Sequence, residues 1–146
     1  VSPDIGSVAR CRDFAQKLHM NLAIVDKRRQ RANSSEVMNI IGDVKGKDVI
    51  LFDDMVDTAG SITNAARAIV EMGGAKNVYA CASHGVLSGP AIDRIENSLI
   101  KELMLLDTIP LPDNHGSKIT KLPVAPLFAE AIKRIYEEVS ISLLFD

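Results

Sequence analysis

Apolar positions along the chain change their period several times, and each change marks an element. Val8, Cys11, Ala15 and Leu18 recur at three- and four-residue spacing, with Arg10, Arg12, Asp13, Gln16 and Lys17 between them, which predicts an amphipathic helix over residues 6–19. Leu22-Ala23-Ile24-Val25 then reads as a short buried strand, and the polar, aperiodic run from Asp26 to Glu36 reads as an exposed loop. Residues 37–44 alternate, Lys45-Gly46-Lys47 supplies a turn, and residues 48–53 form a central strand. Ile62, Ala65, Ala66, Ile69 and Met72 share one face of a helix that Gly73-Gly74 stops. Further strands are predicted at 77–83 and 102–106, with a helix opening at Pro90 between them. Residues 110–117, with two prolines and a glycine, read as a loop. A last helix starts near Pro126 and is expected to turn Phe128, Ala131, Ile132, Ile135 and Tyr136 inward. Strands alternating with helices predict an α/β fold with a mostly parallel sheet flanked by helices on both faces.

Composition adds bounds. At 146 residues the chain suits one domain with a sizeable core, so a single domain over residues 1–146 is expected. Hydrophobic residues make up 47% and charged residues 25%, which indicates neither a disordered nor a membrane protein, and no apolar run approaches the ~18 residues that span a bilayer. A net charge of −2 gives no global attraction to nucleic acid. Cys11 and Cys81 fall on apolar faces far apart in sequence, as expected of reduced, packed thiols in a cytoplasmic protein. The chain opens on Val1-Ser2-Pro3-Asp4, which looks like the end of a strand, so it is expected to be a piece of a longer chain.

The chemistry concentrates after the central strand. Val49-Ile50-Leu51-Phe52 leads into Asp53-Asp54, then Asp57-Thr58-Ala59-Gly60-Ser61, then a helix. A helix start offers backbone N–H groups to an anion, Thr58 and Ser61 add hydroxyls, and Gly60 is expected to let the chain close around it. The same residues also suit an ordinary helix cap through Asp57, Thr58 or Ser61. Two adjacent carboxylates repel each other and a phosphate, so they call for a ligand that also brings hydroxyls or a metal ion. A sugar phosphate meets both requirements. Asp4, before Gly6, suits a turn or helix cap. The Lys27, Arg28, Arg29 and Arg31 cluster suits a solvated surface loop or a nonspecific polyanion patch.

The acidic motif resembles the phosphoribosyl diphosphate signature of the type I phosphoribosyltransferase folds. Together with Val1-Ser2-Pro3-Asp4-Ile5-Gly6, Asp26-Lys27-Arg28-Arg29, Ser88-Gly89-Pro90-Ala91 and Ser140-Ile141-Ser142-Leu143-Leu144-Phe145, it makes the whole chain similar to the C-terminal half of the ribose-phosphate diphosphokinase family. The resemblance implies transfer of a diphosphoryl group from ATP to ribose 5-phosphate with Mg²⁺. It implies that Asp57, Thr58, Ala59, Gly60 and Ser61 cradle the 5-phosphate and that Asp53 and Asp54 approach the ribose hydroxyls. It further implies that Asp4 serves the metal, that Lys27 and Arg29 stabilise the transferred group, and that Ser140, Ser142 and Phe145 belong to an inter-subunit site for phosphate and ADP. A homo-oligomer, a hexamer in that family, is implied too, and the piece alone is expected to be inactive. Ser7 stands where the family often has glycine, Gln30 where it often has proline, and Ser61 where it often has threonine. The other readings are a phosphoribosyltransferase, against which the basic loop argues, and a non-catalytic subunit associated with the synthetase. His84 is the histidine nearest the expected ligand edge, and a structural role is expected for it and for His19 and His115.

Overall fold

The computed structural model describes residues 1–28 and 37–145. Its centre is a four-stranded, fully parallel sheet in the order β3-β4-β5-β6, made of β3 (Asp48–Val56), β4 (Asn77–Gly85), β5 (Ile100–Leu106) and β6 (Ile119–Leu122). Helix α2 (Gly60–Glu71) connects β3 to β4, and α3 (Ala91–Glu96) connects β4 to β5. Alternation along the strands explains the layering. Val49, Leu51, Val78, Ala80, Leu103 and Leu105 are buried and share a core with Ile62, Ala65, Ala66 and Ile69 of α2 and Ile95 of α3. The opposite face is thinner. There α1 (Val8–Lys17) covers β3: the rings of Phe14 and Phe52 stack with centroids 4.4 Å apart, and the Cys11 thiol donates to the Phe52 carbonyl.

A second, two-stranded antiparallel sheet pairs β1 (Ile24–Arg28) with β2 (Val37–Ile41). The first residues join it to the main sheet. Ser2 N–H donates to the Ala23 carbonyl and Val25 N–H to the Ser2 carbonyl, while Phe52 N–H donates to the Val1 carbonyl. Asp4 and Ser7 are thereby carried to the carboxyl end of β3, the edge where parallel α/β sheets bind ligands.

Several expectations need correction. The central strand runs to Val56, so Asp53 and Asp54 lie inside it, and Asp53 still pairs with Ala82 of β4. The expected loop begins later than Asp26, because β1 extends through Arg28 in register with Val37; cross-strand pairing holds even a charged run in a strand. Strand β6 was not expected. Only Ile119 of its four residues is buried, so it carries almost no hydrophobic signal. It is fixed instead by Glu96, whose carboxylate accepts from Ser117 Oγ and Lys118 N–H, each at 2.8 Å. Helix α4 (Ala125–Tyr136) starts where predicted, but its apolar side does not face the core: Phe128, Ile132, Ile135 and Tyr136 are 59–88% exposed. The final segment is a 3₁₀ turn, Ser142–Leu144. No helix among the described residues is long and apolar enough to cross a membrane.

Candidate functional site

A cavity of about 280 Å³ opens at the carboxyl end of β3, lined by Asp4, Asp53 and the whole run from Asp57 to Ser61. Three separate pieces of sequence meet there: the first turn of the chain, the strand end and the N-terminus of α2.

The loop is built by backbone rather than by caps. Ala59, buried and at the N-cap of α2, adopts a left-handed conformation with φ 59°. A non-glycine residue there is under strain, which persists only where the surroundings impose it. The left-handed residue of the loop is thus Ala59 and not the glycine that follows it. No side chain caps α2, so the ordinary-cap reading of Asp57, Thr58 and Ser61 is not realised. The loop is held from outside its own motif. Thr63 Oγ1 donates to the Ala59 carbonyl at 2.7 Å, Ser88 N–H donates to the Asp57 carbonyl at 3.0 Å, and Arg94 Nη1 donates to the Thr58 carbonyl at 2.9 Å. The first-turn amides of α2 are left without a capping side chain at the positive end of a helix dipole.

The acidic pair separates into two environments. Asp53 lines the cavity, and its carboxyl titrates above the usual range: burial is the largest cause, and the nearby charge of Asp4 adds to it against the hydrogen bond from Ser7. Asp54 is not among the cavity-lining residues. Its carboxylate meets Arg10 at 3.0 Å, and its pKa is lowered, because slight burial is outweighed by its hydrogen bond with Asp53, the Arg10 charge and backbone N–H groups. The pair is thus expected as one unit and found as two, one carboxylate facing the cavity and one already neutralised.

Ser7, buried, links two of the carboxylates. Its N–H donates to Asp4 Oδ1 at 2.9 Å and its hydroxyl to Asp53 Oδ1 at 3.2 Å. Asp4 therefore does serve the turn chemistry expected of it while also lining the cavity. Neither Ser7 nor Arg10 was singled out for a role from sequence, although the departure of Ser7 from glycine was the available signal.

The other predicted residues fall elsewhere. The Lys27 backbone lies in β1 paired with Met38, and Arg29 lies outside the described residues, as does the expected mobile loop around it. Ser140 and Ser142 come together, with Oγ atoms 3.1 Å apart, and Phe145 is exposed. The Phe145 carbonyl accepts from Lys17 at the far end of α1. The length of that helix, roughly 15 Å, separates this cluster from Ser7. His84 pairs with Met55, a cavity-lining residue, yet its Nδ1 is engaged 2.8 Å from Thr108 Oγ1. Thr108 itself donates to the Ser83 carbonyl, so the imidazole is tied to the strand end, as a structural role requires.

Comparison with known proteins gives concordant results. The family model described as "Phosphoribosyl synthetase-associated domain" matches residues 30–146. The chain is 64% identical over 146 residues to the ribose-phosphate pyrophosphokinase of Clostridium acetobutylicum, a match covering 99% of this chain and 46% of that protein. It is 63% identical over 147 residues to the pyrophosphokinase of the same name from Clostridium tetani, covering 100% and 46%. The crystal structure of phosphoribosylpyrophosphate synthetase from Mycobacterium smegmatis superposes with a TM-score of 0.84 at 37% identity, covering 94% of this chain and 44% of that one. The chain spans about half the length of the curated relatives it matches. These shares bear out a match of half-length; the expected placement in the C-terminal half is not borne out by them.

Proposed function

Because this chain belongs to the phosphoribosyl synthetase-associated domain family, we propose that it is one domain of a ribose-phosphate diphosphokinase and that its acidic loop holds ribose 5-phosphate. The observation that carries this reading is the convergence of Asp4, Asp53 and residues 57–61 on one cavity at the end of β3. Phosphate belongs at the uncapped amides of α2, with the Thr58 and Ser61 hydroxyls beside it. Asp53 then lies where ribose hydroxyls can donate to it.

In the reaction so assigned, the anomeric 1-hydroxyl of ribose 5-phosphate attacks the β-phosphorus of ATP in line. The bond to the α-phosphate oxygen breaks, AMP leaves, and 5-phosphoribosyl 1-diphosphate forms. Such transfer depends mostly on positioning and on neutralising the oxygens that gain charge. Lys27 and Arg29 are assigned that second task.

Among the described residues no three metal-ligating groups come together. Mg²⁺ asks for fewer, since it is commonly held by one or two carboxylates plus substrate phosphates and water. Asp4 and Asp53, both lining the cavity, fit that requirement. When bound with ATP, the ion neutralises phosphate charge. Assembly into a homo-oligomer, and binding of phosphate or ADP at Ser140, Ser142 and Phe145, belong to the same proposal.

The test is a product assay on the chain extended to the full length of its relatives. Incubation with ATP, Mg²⁺ and ribose 5-phosphate is expected to yield AMP. A phosphoribosyltransferase would instead release diphosphate from phosphoribosyl diphosphate and a nucleobase, and a non-catalytic subunit would do neither; either result overturns the assignment.

A further inference from the structure

The loop that lines the cavity is braced from its other side by a residue of α3. Arg94 lines an adjoining groove of about 500 Å³ between α2 and α3, which shares Gly60 with the cavity that contains Asp4 and Asp53, and is not itself among the residues lining that cavity. From there its guanidinium donates through Nη1 to the carbonyl of Thr58 at 2.9 Å, 36 residues away in sequence. A Cβ on Gly60 would come within 3.5 Å of the same nitrogen, so the arginine lies against the loop rather than merely near one atom of it.

The consequence follows from peptide geometry. The carbonyl of Thr58 and the N–H of Ala59 belong to one planar peptide unit and point in opposite directions. A charged donor that fixes the carbonyl on the groove side therefore fixes the N–H on the opposite side. Ala59 is also the strained residue of the loop, at φ 59°. A peptide flip between residues 58 and 59 would exchange the two groups and turn a carbonyl dipole toward a bound anion.

We propose that Arg94 is a positioning residue for anion binding: by holding the Thr58 carbonyl it keeps the Ala59 N–H turned toward the ligand. It does so without touching the ligand, through the groove rather than the cavity. The inference rests on the phosphate reading of the loop. A hydrogen bond from a charged donor is stronger than a neutral one, and its loss is felt wherever the carbonyl becomes free to turn. Arginine suits the task because its planar fork is preorganised, whereas a lysine reaches the carbonyl with a single flexible ammonium.

The experiment compares the ¹⁵N-labelled wild-type chain with Arg94→Met and Arg94→Lys, each titrated with ribose 5-phosphate and followed by the Ala59 amide resonance. Arg94 is exposed, so both variants are expected to fold, and unchanged resonances of the β3–β5 core check this. The expected result is an affinity about tenfold weaker for Arg94→Met, with a smaller Ala59 shift at saturation, and partial recovery in Arg94→Lys. Wild-type and Arg94→Met affinities within about twofold of each other would overturn the role of Arg94 alone. A wild-type chain whose 57–61 amides do not respond at all would overturn the phosphate reading, and this proposal with it.

Discussion

The Ser7 hydroxyl donates to Asp53 Oδ1 across 3.2 Å, from a side chain that is 3% exposed. Because the Ser7 N–H also holds Asp4, one residue sets the spacing of the two carboxylates that face the cavity. Ser7→Ala removes the hydroxyl and keeps the N–H. The expected cost is about 1 kcal/mol in chemical denaturation, the usual net value of a hydrogen bond that leaves an acceptor short. No measurable change in stability would show that the Asp53 carboxyl finds an equal partner without Ser7.

Asp53 should oppose stability at neutral pH. Its folded-state pKa lies above the unfolded value, chiefly through burial, so the folded protein holds the charged form less readily than the unfolded chain does. The penalty is full above the folded pKa and disappears as pH falls toward the ordinary carboxylate value of about 3.9. Asp53→Asn is therefore expected to be the more stable protein at pH 7, with the gap closing on acidification. The neighbouring Asp54 has the opposite sign, so in the wild type its stabilising charge is lost on acidification. A variant less stable than wild type at pH 7 contradicts the account.

The exposed side of α4 yields a contrast between two isoleucines. Ile132 is 65% exposed and Ile95 fully buried. Ile95→Ala should cost about 2–5 kcal/mol, whereas Ile132→Ala should change stability by no more than ~0.5 kcal/mol. Equal losses in denaturation of the isolated chain would show that α4 packs against the core after all.

Neither thiol should be reactive in the folded protein. Burial pushes the Cys81 thiol up to about 11 and also raises that of Cys11. Since the thiolate is the nucleophile, reaction with Ellman's reagent at pH 8 is expected to be slow until denaturant is added. Rapid modification of the native chain would place a thiol at the surface.

The elements that sequence shows well are those whose burial alternates within this chain. Val49 and Leu51, or Ile62 to Ile69, report a core that the same chain supplies. The periodicity of α4 is just as regular, but periodicity records that a helix has an apolar side, not what lies against it; Phe128 and Tyr136 therefore read as core and are exposed. Strand β6 was hidden for the converse reason, since Glu96 and backbone pairing with β5 hold it without a hydrophobic face. In the site, the motif from Asp53 to Ser61 was legible because its residue types are unusual together. Ser7, Arg10 and Arg94 act by distance in space, and their separations in sequence from the groups they hold, 46, 44 and 36 residues, leave no local pattern. The strain at Ala59 was equally invisible, because a left-handed conformation is ordinarily taken by glycine and Gly60 stands beside it.

The account turns on whether residues 57–61 bind the phosphate of a sugar phosphate. The most direct measurement is a ¹H–¹⁵N titration of the chain with ribose 5-phosphate, with ribose as control. The account predicts that the amides of Asp57 to Ser61 shift together and saturate with ribose 5-phosphate, and that ribose leaves them nearly unmoved. Loop amides that stay in place while resonances elsewhere respond to ribose 5-phosphate would contradict it.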